Sequence, residues 1–325
     1  MEMIATRRRI LAAGALAAFG SSGFAQQPYP AKAIRLIVPY PPGGGTTIVA
    51  HLLSQRINES WGQSVIVDNR GGGGGIIGTA AMLQAPADGY TLLVASSTHV
   101  INPLLLPVPY DAIKDFAAVT GLYSSELVLV VNSSLPANNL QEFIALAKSQ
   151  PGKLNYGVVS VGGTTHLAGE LLNVMSGIKT QHVAYKGAGP AMQDLIGGQV
   201  QFSFVAPAAA LTYVKSGQLK ALAISGQHRL PAMSQVPTFA EAGLPDFTAR
   251  VWFGILARAG TPREIVEKLS AEVARIMALP DTKEKLGGQG LEPFVAGPEQ
   301  FSAVLKSDMA RYANLVKTAN IKLEQ

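Results

Sequence analysis

Short apolar runs alternate with amphipathic stretches along most of the chain, and this alternation constrains the fold more than any other feature. The apolar runs have the length of β-strands and lie at 34–38, 64–67, 91–95, 127–131, 154–157, 200–205, 219–224 and 251–257. Between several of them, apolar side chains recur every three or four residues, as in Leu140, Phe143, Ile144 and Ala147, which is the spacing of one helix face. Strands that alternate with helices predict parallel sheets covered on both faces. The sequence therefore predicts an α/β fold class.

The N-terminal segment has the three parts of an export signal. Arg7, Arg8 and Arg9 form a positive region, residues 10–19 are apolar, and small residues at 23 and 25 provide a cleavage site. We predict cleavage after Ala25 and a periplasmic location. The apolar part is shorter than the roughly 20 residues of a membrane span. Export through the general secretory (Sec) route and through the twin-arginine route are both compatible with the arginine cluster.

The length and the linker pattern predict two lobes. About 300 residues remain after cleavage, more than one typical hydrophobic core organises. No Pro- or Ser-rich linker divides them, so we expect one lobe to interrupt the other, with crossing strands near 122–131 and 222–251. The predicted boundaries are 1–25 for the signal peptide, 26–125 plus 226–325 for lobe 1, and 126–225 for lobe 2. A cleft between lobes is the default ligand site.

Cysteine usage and charge exclude several classes of protein. The chain contains no cysteine, which excludes a lipid anchor at a cleavage-site cysteine, disulfide staples and thiolate metal sites. The net charge of +5 at pH 7 falls to about +3 after cleavage, because the signal region holds three arginines and one glutamate. This favours small anions only slightly. The basic residues are scattered and aromatic residues are few, which argues against nucleic-acid binding.

Two glycine-rich turns follow predicted strands and precede predicted helices. They are PYPPGGGT at 39–46 and RGGGGGIIG at 70–78. Glycine lets the main chain approach a ligand closely, and the first turn of a helix offers unpaired N–H groups and a partial positive charge. Three further polar or glycine-rich loops also follow strands, at 96–99, 160–166 and 185–189. Because open α/β sheets bind ligands at such loops, the five together predict a site for a small anion.

Catalytic motifs are mostly absent from the sequence. It has no GxSxG elbow, no HExxH and no GxxxxGK[ST] phosphate loop. GGGIIG at 73–78 matches the dinucleotide fingerprint, but the next strand runs into Ser96 and Ser97, where that fold places a ribose-binding acid. The five histidines show no metal-ligand spacing, so we predict neither a metal nor a cofactor. An exported hydrolase or lyase that uses Ser97, Ser160 or His166 stays an open alternative.

An ordered set of longer stretches carries a family resemblance. They are PYPPGG at 39–44, VDNRGGGGGIIG at 67–78, ADGYTLL at 87–93, HVAYKGAGPA at 182–191, DLIGGQV at 194–200 and VPTFAEAG at 236–243. The set resembles the tripartite tricarboxylate transporter substrate-binding proteins, also called the Bug family, from about Tyr29 to the C-terminus. The resemblance implies a periplasmic binding protein of the type II class with two α/β lobes, each a mainly parallel sheet flanked by helices. Such a protein closes on a small carboxylate, passes it to an inner-membrane permease and catalyses nothing. We expect a monomer, and a role in feeding a sensor kinase stays an alternative.

The resemblance also implies which residues hold the ligand. One carboxylate would be held by residues 40–47 and 73–78, largely through main-chain N–H groups and ordered water. The predicted ligand-binding residues there are Tyr40, Gly44, Gly45, Thr46, Thr47, Gly74, Gly75 and Ile76. The other lobe would contribute Ser160, Thr164, Thr165, Tyr185 and Lys186. The loops after strands add Ser96, Ser97 and His166, and Val205 and Ala206 complete the set.

Two departures from the family pattern bear on the ligand. Family members commonly carry an aspartate where this chain has Thr47, and another where it has Val205. An aspartate in a closed cleft would pair with a ligand ammonium or hydroxyl group, since leaving such a group unpaired costs roughly 1 to 3 kcal/mol. Val205 beside Ala206 instead predicts an apolar wall. We therefore hypothesise a dicarboxylate with an apolar or aromatic body, rather than an amino acid or a citrate-like hydroxy acid.

Overall fold

The computed structural model describes residues 29–42, 45–159, 161–185, 187–287 and 291–321. The chain divides into two units, Met1–Ala31 and Lys32–Gln325. Only residues 29–31 of the first unit are described, so the predicted signal peptide and its cleavage site lie outside the described residues. Every described helix is too short or too polar to cross a bilayer. The elements below all belong to the second unit.

The second unit contains alternating strands and helices. The strands are β1 (Ile34–Val38), β2 (Val65–Asn69), β3 (Thr91–Ser96), β4 (Phe116–Glu126), β5 (Val128–Asn132), β6 (Asn155–Val158), β7 (Gln181–Ala184), β8 (Phe202–Val205), β9 (Leu219–Ile224), β10 (Arg250–Arg258) and β11 (Glu292–Pro293). The helices are α1 (Gly45–Trp61), α2 (Ile76–Met82), α3 (Thr98–Leu105), α4 (Leu140–Ser149), α5 (Thr164–Ser176), α6 (Ala188–Ile196), α7 (Pro207–Lys215), α8 (Arg263–Ala278), α9 (Pro280–Gly287) and α10 (Pro298–Thr318). Short 3₁₀ turns lie at Gly73–Gly75 and Pro231–Met233.

The described strands form two mixed sheets. The first has the order β11-β4-β10-β3-β1-β2 and the second the order β7-β6-β8-β5-β9. Pairing is parallel between β1 and both β2 and β3, and between β6 and both β7 and β8. It is antiparallel between β10 and both β3 and β4, and between β5 and both β8 and β9. The α/β class is confirmed, while the expected mainly parallel pairing is corrected to mixed pairing.

The antiparallel pairs have a physical reason in the path of the chain. The chain leaves the first sheet along β4, enters the second through Leu127 alone, and returns along β10. A strand that leaves and a neighbouring strand that returns must run in opposite directions. The two crossings are bonded to each other, because Leu127 N donates to Ser225 Oγ (2.8 Å) and Ser225 N donates to Leu127 O (2.9 Å).

Helix α4 illustrates how local sequence forms these elements. The side chain of Asn139 accepts a hydrogen bond from Glu142 N (2.8 Å), which satisfies one of the free N–H groups at the helix start. Leu140, Phe143 and Ala147 are buried, as their spacing predicts. They belong to a hydrophobic core on the second sheet. There the Phe143 ring packs edge-on against the Phe202 ring, with 4.9 Å between the ring centroids.

Candidate functional site

Three hydroxyl groups meet at the carboxyl edge of the first sheet. Tyr40 follows β1, and its hydroxyl lies 2.5 Å from Ser96 Oγ and 2.6 Å from Thr98 Oγ1. The two smaller hydroxyls lie 2.9 Å apart. Burial raises the pKa of Tyr40, and its two hydrogen bonds only partly offset that effect. Because β1 and β3 are adjacent and parallel, their carboxyl ends bring these side chains together.

The second glycine-rich turn, at residues 70–78, packs against the cluster of three hydroxyl groups. Each glycine from 72 to 75 has a positive φ, between 56° and 132°, a region that glycine enters without steric cost. A Cβ on Gly75 would lie 3.4 Å from the Tyr40 ring. The carbonyl of Gly74 accepts a hydrogen bond from Asn102 Nδ2 (3.1 Å). The positive φ angles therefore favour glycine in this turn, whereas a Cβ on Gly75 would make only an ordinary contact with Tyr40.

The first turn is tied to the end of β2 by Asn69. Its Nδ2 donates to Tyr40 O (3.0 Å) and to Thr47 Oγ1 (3.0 Å). Thr46 and Thr47 are both buried in the first turn of α1. Thr47, which stands where relatives are expected to have aspartate, is thus an acceptor for a neighbouring amide. Gly44 lies outside the described residues, and Gly45 and Ile76 begin α1 and α2.

Ser97 is bonded to the returning strand. Its backbone N–H donates to Trp252 O (3.1 Å), and its Oγ accepts from Trp252 N (2.9 Å). The residue is fully buried. These bonds dock the loop after β3 onto β10 and give Ser97 an anchoring role in the fold.

A mainly apolar cavity lies at the carboxyl ends of β6 and β8 in the second sheet. Its volume is about 180 Å³. The lining includes Val159, Thr165, Met192, Val205, Ala206 and Ala209. For comparison, an apolar cavity of about 150 Å³ in another protein holds benzene. The cavity therefore has room for an aromatic ring or a short aliphatic chain.

The other predicted residues of the second sheet do not all share this cavity. Thr164 instead lines an apolar cavity of about 280 Å³ that α5 forms with α10. His166 is buried, and its Nδ1 accepts from Gly162 N (3.0 Å). The hydroxyl of Tyr185 donates to Asp194 Oδ2 (2.8 Å), and desolvation together with this bond raises the pKa of Tyr185 to about 12. Ser160 and Lys186 lie outside the described residues.

The structure thus groups part of the predicted set into two places. Tyr40, Gly74, Gly75 and Ser96 line one tight crevice in the first sheet, and Thr165, Val205 and Ala206 line the apolar cavity. Sequence reasoning missed Asn69, Asn102, Val159 and Met192, and it placed Thr98 only within the loop at 96–99. Asn69 is the last residue of β2, and a polar residue at a strand end is a signal that could have found it. The ligand-binding role of the whole set stays a prediction.

A larger cavity lies away from these residues. It measures about 570 Å³ beside the crossing strands and is lined by charged side chains that include Glu126, Arg250 and Arg311. Burial raises the pKa of Glu126. None of the predicted site residues lines this cavity. Its size alone does not make it the ligand site, because a carboxylate site needs convergent donors, and Arg311 is already bonded to Thr248 and Asp308.

The fold and the polar strand-end loops define a solute-binding protein, and comparison with known proteins specifies its family. Residues 49–321 match the model of the tripartite tricarboxylate transporter family receptor. The chain belongs to this family of periplasmic solute-binding receptors. Protein BugT of Bordetella pertussis is 37% identical over 299 residues, which cover 91% of this chain and 92% of that protein. The resemblance found in the sequence is therefore confirmed.

Solved structures agree with this assignment. The R. palustris protein Rpa4515, solved with adipate, is 33% identical and has a TM-score of 0.79 over 90% of this chain and 99% of its own. MatC from Rhodopseudomonas palustris, solved with bound malate, is 31% identical and has a TM-score of 0.74, covering 89% of this chain and 100% of its own. The periplasmic binding protein BugD is 30% identical and has a TM-score of 0.76, covering 91% of this chain and 100% of its own. Two of these three structures were solved with a dicarboxylate, and the third is of a periplasmic binding protein.

Proposed function

We propose that this protein captures a dicarboxylate with an apolar body between two lobes and delivers it to an inner-membrane permease of the tripartite tricarboxylate type. The observation that carries the proposal is the apolar cavity bordered by Val205, where relatives are expected to have aspartate. Rpa4515, solved with adipate, supports the same class of ligand. Adipate is a dicarboxylate whose body consists only of methylene groups.

The first sheet supplies the site for one carboxylate. The hydroxyls of Tyr40, Ser96 and Thr98 lie together there, beside a turn of left-handed glycines that leads into α2. Hydroxyls can donate to a carboxylate, and N–H groups at a helix start favour an anion. We assign one end of the ligand to the residues around this crevice, whose interior has no room for a water molecule, together with Thr46 and Thr47.

The second sheet supplies the surface for the ligand body. Val205, Ala206 and Thr165 line the apolar cavity, and burial of each methylene group contributes about 0.8 kcal/mol. A ligand hydroxyl or ammonium group would find few partners on these walls and would be penalised by desolvation. The second carboxylate is assigned to the N-terminal turn of α5 and to Tyr185, together with the predicted residues Ser160 and Lys186.

The division into lobes follows the two sheets. Lobe 1 comprises residues 26–125 plus 226–325, and lobe 2 comprises residues 126–225. This division is supported by the sheets: strands of the first sheet lie within 34–126 and 250–293, and those of the second lie within 128–224. A ligand that contacts both lobes would favour a closed arrangement about the crossing strands. We further propose export by a signal peptide at residues 1–25, a monomeric state and no catalytic activity. The bonds that Ser97 makes to the crossing strand support the last point.

The test is a ligand panel measured by isothermal titration calorimetry and thermal shift. Adipate, an aromatic dicarboxylate, malate, citrate, aspartate and glutamate are titrated into ligand-free protein, and each ligand is then recovered and analysed for chemical change. We expect saturable binding of the adipate type, a raised melting temperature and unchanged ligand. Tight binding of aspartate, glutamate or citrate without binding of either apolar dicarboxylate would overturn the proposal, and chemical conversion would favour the hydrolase or lyase alternative.

A further inference from the structure

Three possible metal ligands from two elements meet beside the second sheet. His166 and Glu170 lie one turn apart on α5, and His182 lies on the edge strand β7. His166 Nε2 is 3.2 Å from His182 Nδ1 and 3.9 Å from Glu170 Oε1. The three ligand atoms all lie within 4.8 Å of one another. The spacing along the sequence gave no sign of this cluster, because His182 joins it from a separate element.

These separations are close to those of a tetrahedral zinc site. Zn²⁺ binds histidine nitrogen and carboxylate oxygen at about 2.0 to 2.2 Å, so two ligand atoms in a tetrahedron lie roughly 3.4 Å apart. The observed 3.2 and 3.9 Å lie on either side of that value. Small side-chain rotations would therefore suffice to place three ligands around one ion.

The carboxylate of the cluster is held in place by its neighbours. Tyr156 Oη donates to Glu170 Oε1 (2.7 Å), and Asn173 Nδ2 donates weakly to Glu170 Oε2 (3.4 Å). Tyr156 is fully buried. It can lie across α5 because residue 169 is glycine; a Cβ there would overlap the Tyr156 ring and come within 2.8 Å of its hydroxyl. Partners of this kind orient metal ligands and are part of a functional site.

We propose that His166, Glu170 and His182 bind a divalent first-row transition metal ion such as Zn²⁺. Two imidazoles and one carboxylate suit such ions better than Mg²⁺ or Ca²⁺, which prefer oxygen ligands alone. His182 is exposed and Glu170 is partly exposed, so the ion can enter from solvent and keep a water molecule in the fourth position. This revises the expectation of no metal site.

Metal binding would change the tautomer of His166. Its Nδ1 accepts from Gly162 N (3.0 Å), so the proton of the neutral ring is on Nε2, from which it is donated to His182 Nδ1. A metal ion on Nε2 requires that proton to move to Nδ1, and the ring stays neutral. Two donors would then face each other, and Gly162 N–H must turn away. The ion is thereby coupled to the loop that precedes α5.

The test is a titration of Zn²⁺ into untagged full-length protein by isothermal titration calorimetry. We expect one saturable site, which His182→Ala and the isosteric Glu170→Gln each abolish, and which Tyr156→Phe weakens by about tenfold. His51→Ala and His228→Ala remove exposed histidines elsewhere and should leave binding unchanged. Mg²⁺ and Ca²⁺ should produce no saturable heat.

Nuclear magnetic resonance provides a second readout that a purely structural cluster would not produce. Zn²⁺ should shift the amide resonance of Gly162 in the wild-type protein and leave it unchanged in Glu170→Gln. The proposal is overturned if Zn²⁺ does not bind, if it binds equally well to His182→Ala and Glu170→Gln, or if Mg²⁺ binds equally well. Circular dichroism of each variant verifies the fold, and the proposal does not depend on which carboxylate the protein carries.

Discussion

The replacement Val205→Asp tests the proposed ligand specificity directly. Val205 ends β8, is half-buried and borders the apolar cavity of about 180 Å³. Aspartate is similar in size to valine, so the cavity keeps its shape while one wall gains a charge. The change also restores the residue expected in relatives.

The expected effect follows from desolvation of the new carboxylate. When a methylene chain covers it without a partner, the cost is roughly 1 to 3 kcal/mol, and each 1.4 kcal/mol corresponds to tenfold in affinity. Adipate should therefore bind about 5- to 150-fold more weakly. Malate carries a hydroxyl that can donate to the carboxylate, so it should lose less affinity or gain some. The ratio of adipate affinity to malate affinity should fall.

Isothermal titration calorimetry of both ligands on both proteins measures this ratio. Ile66→Asp is the matched control, because it adds the same charge at a residue that is 52% exposed on β2 of the other sheet. An unchanged ratio in Val205→Asp, or an equal change in Ile66→Asp, would refute the reasoning. An added negative charge repels any dicarboxylate and so weakens the binding of both ligands. This effect cancels in the ratio of adipate affinity to malate affinity.

Three further changes probe the first sheet. Tyr40→Phe removes a partly buried hydroxyl that lies 2.5 Å from Ser96 Oγ and should lower the free energy of unfolding by about 1 to 2 kcal/mol in urea titrations. Gly254→Ala would place a Cβ in steric overlap with the edge of the Phe301 ring, and such overpacking should cost about 1 to 3 kcal/mol in the same assay. Burial lowers the pKa of His99 to about 4, so the unfolded state, with a pKa near 6.5, takes up the proton first. His99 alone should therefore reduce stability by on the order of 3 kcal/mol as pH drops from about 6.5 to about 4, and His99→Gln should remove that contribution from the profile.

Each of these changes has a control in the same chain. Tyr213→Phe removes a half-buried hydroxyl on α7, Gly189→Ala adds a methyl group in open space on α6, and His228→Gln removes an exposed imidazole. The hydroxyl and packing arguments are wrong if the control variants lose as much stability as Tyr40→Phe and Gly254→Ala. The titration argument is wrong if His228→Gln, and not His99→Gln, flattens the pH profile.

Local patterns predicted most of the strands and the fold class. The predicted runs 34–38 and 219–224 coincide with β1 and β9. Each of the other six begins and ends within two residues of the ends of an observed strand. Strand β7 was missed because its four residues QHVA are mostly exposed and form no apolar run. Most of β4 was missed because polar residues fill its second half. These strands exist through pairing with their neighbours, which a window of sequence does not contain.

The candidate site was predictable loop by loop, but its grouping was not. Thr164 and Thr165 are adjacent in sequence, yet they line different cavities, because successive residues of a helix point about 100° apart. Likewise, His166 and His182 are both visible in the sequence, but their contact depends on α5 packing beside β7. Residues on different elements meet only once those elements are packed.

The sequence by itself determined the element types, the glycine turns and the apolar wall at Val205, because each depends on residues within a few positions of one another. It also determined the family, because the order of several such local stretches along the chain is visible without the fold. The tertiary structure decided the mixed strand directions, the crevice around Tyr40 and the cluster of His166, Glu170 and His182. The physical reason is the range of the forces involved. Propensity and hydrophobic periodicity act along a few residues, whereas the distance between two side chains on different elements is set by how sheets and helices pack.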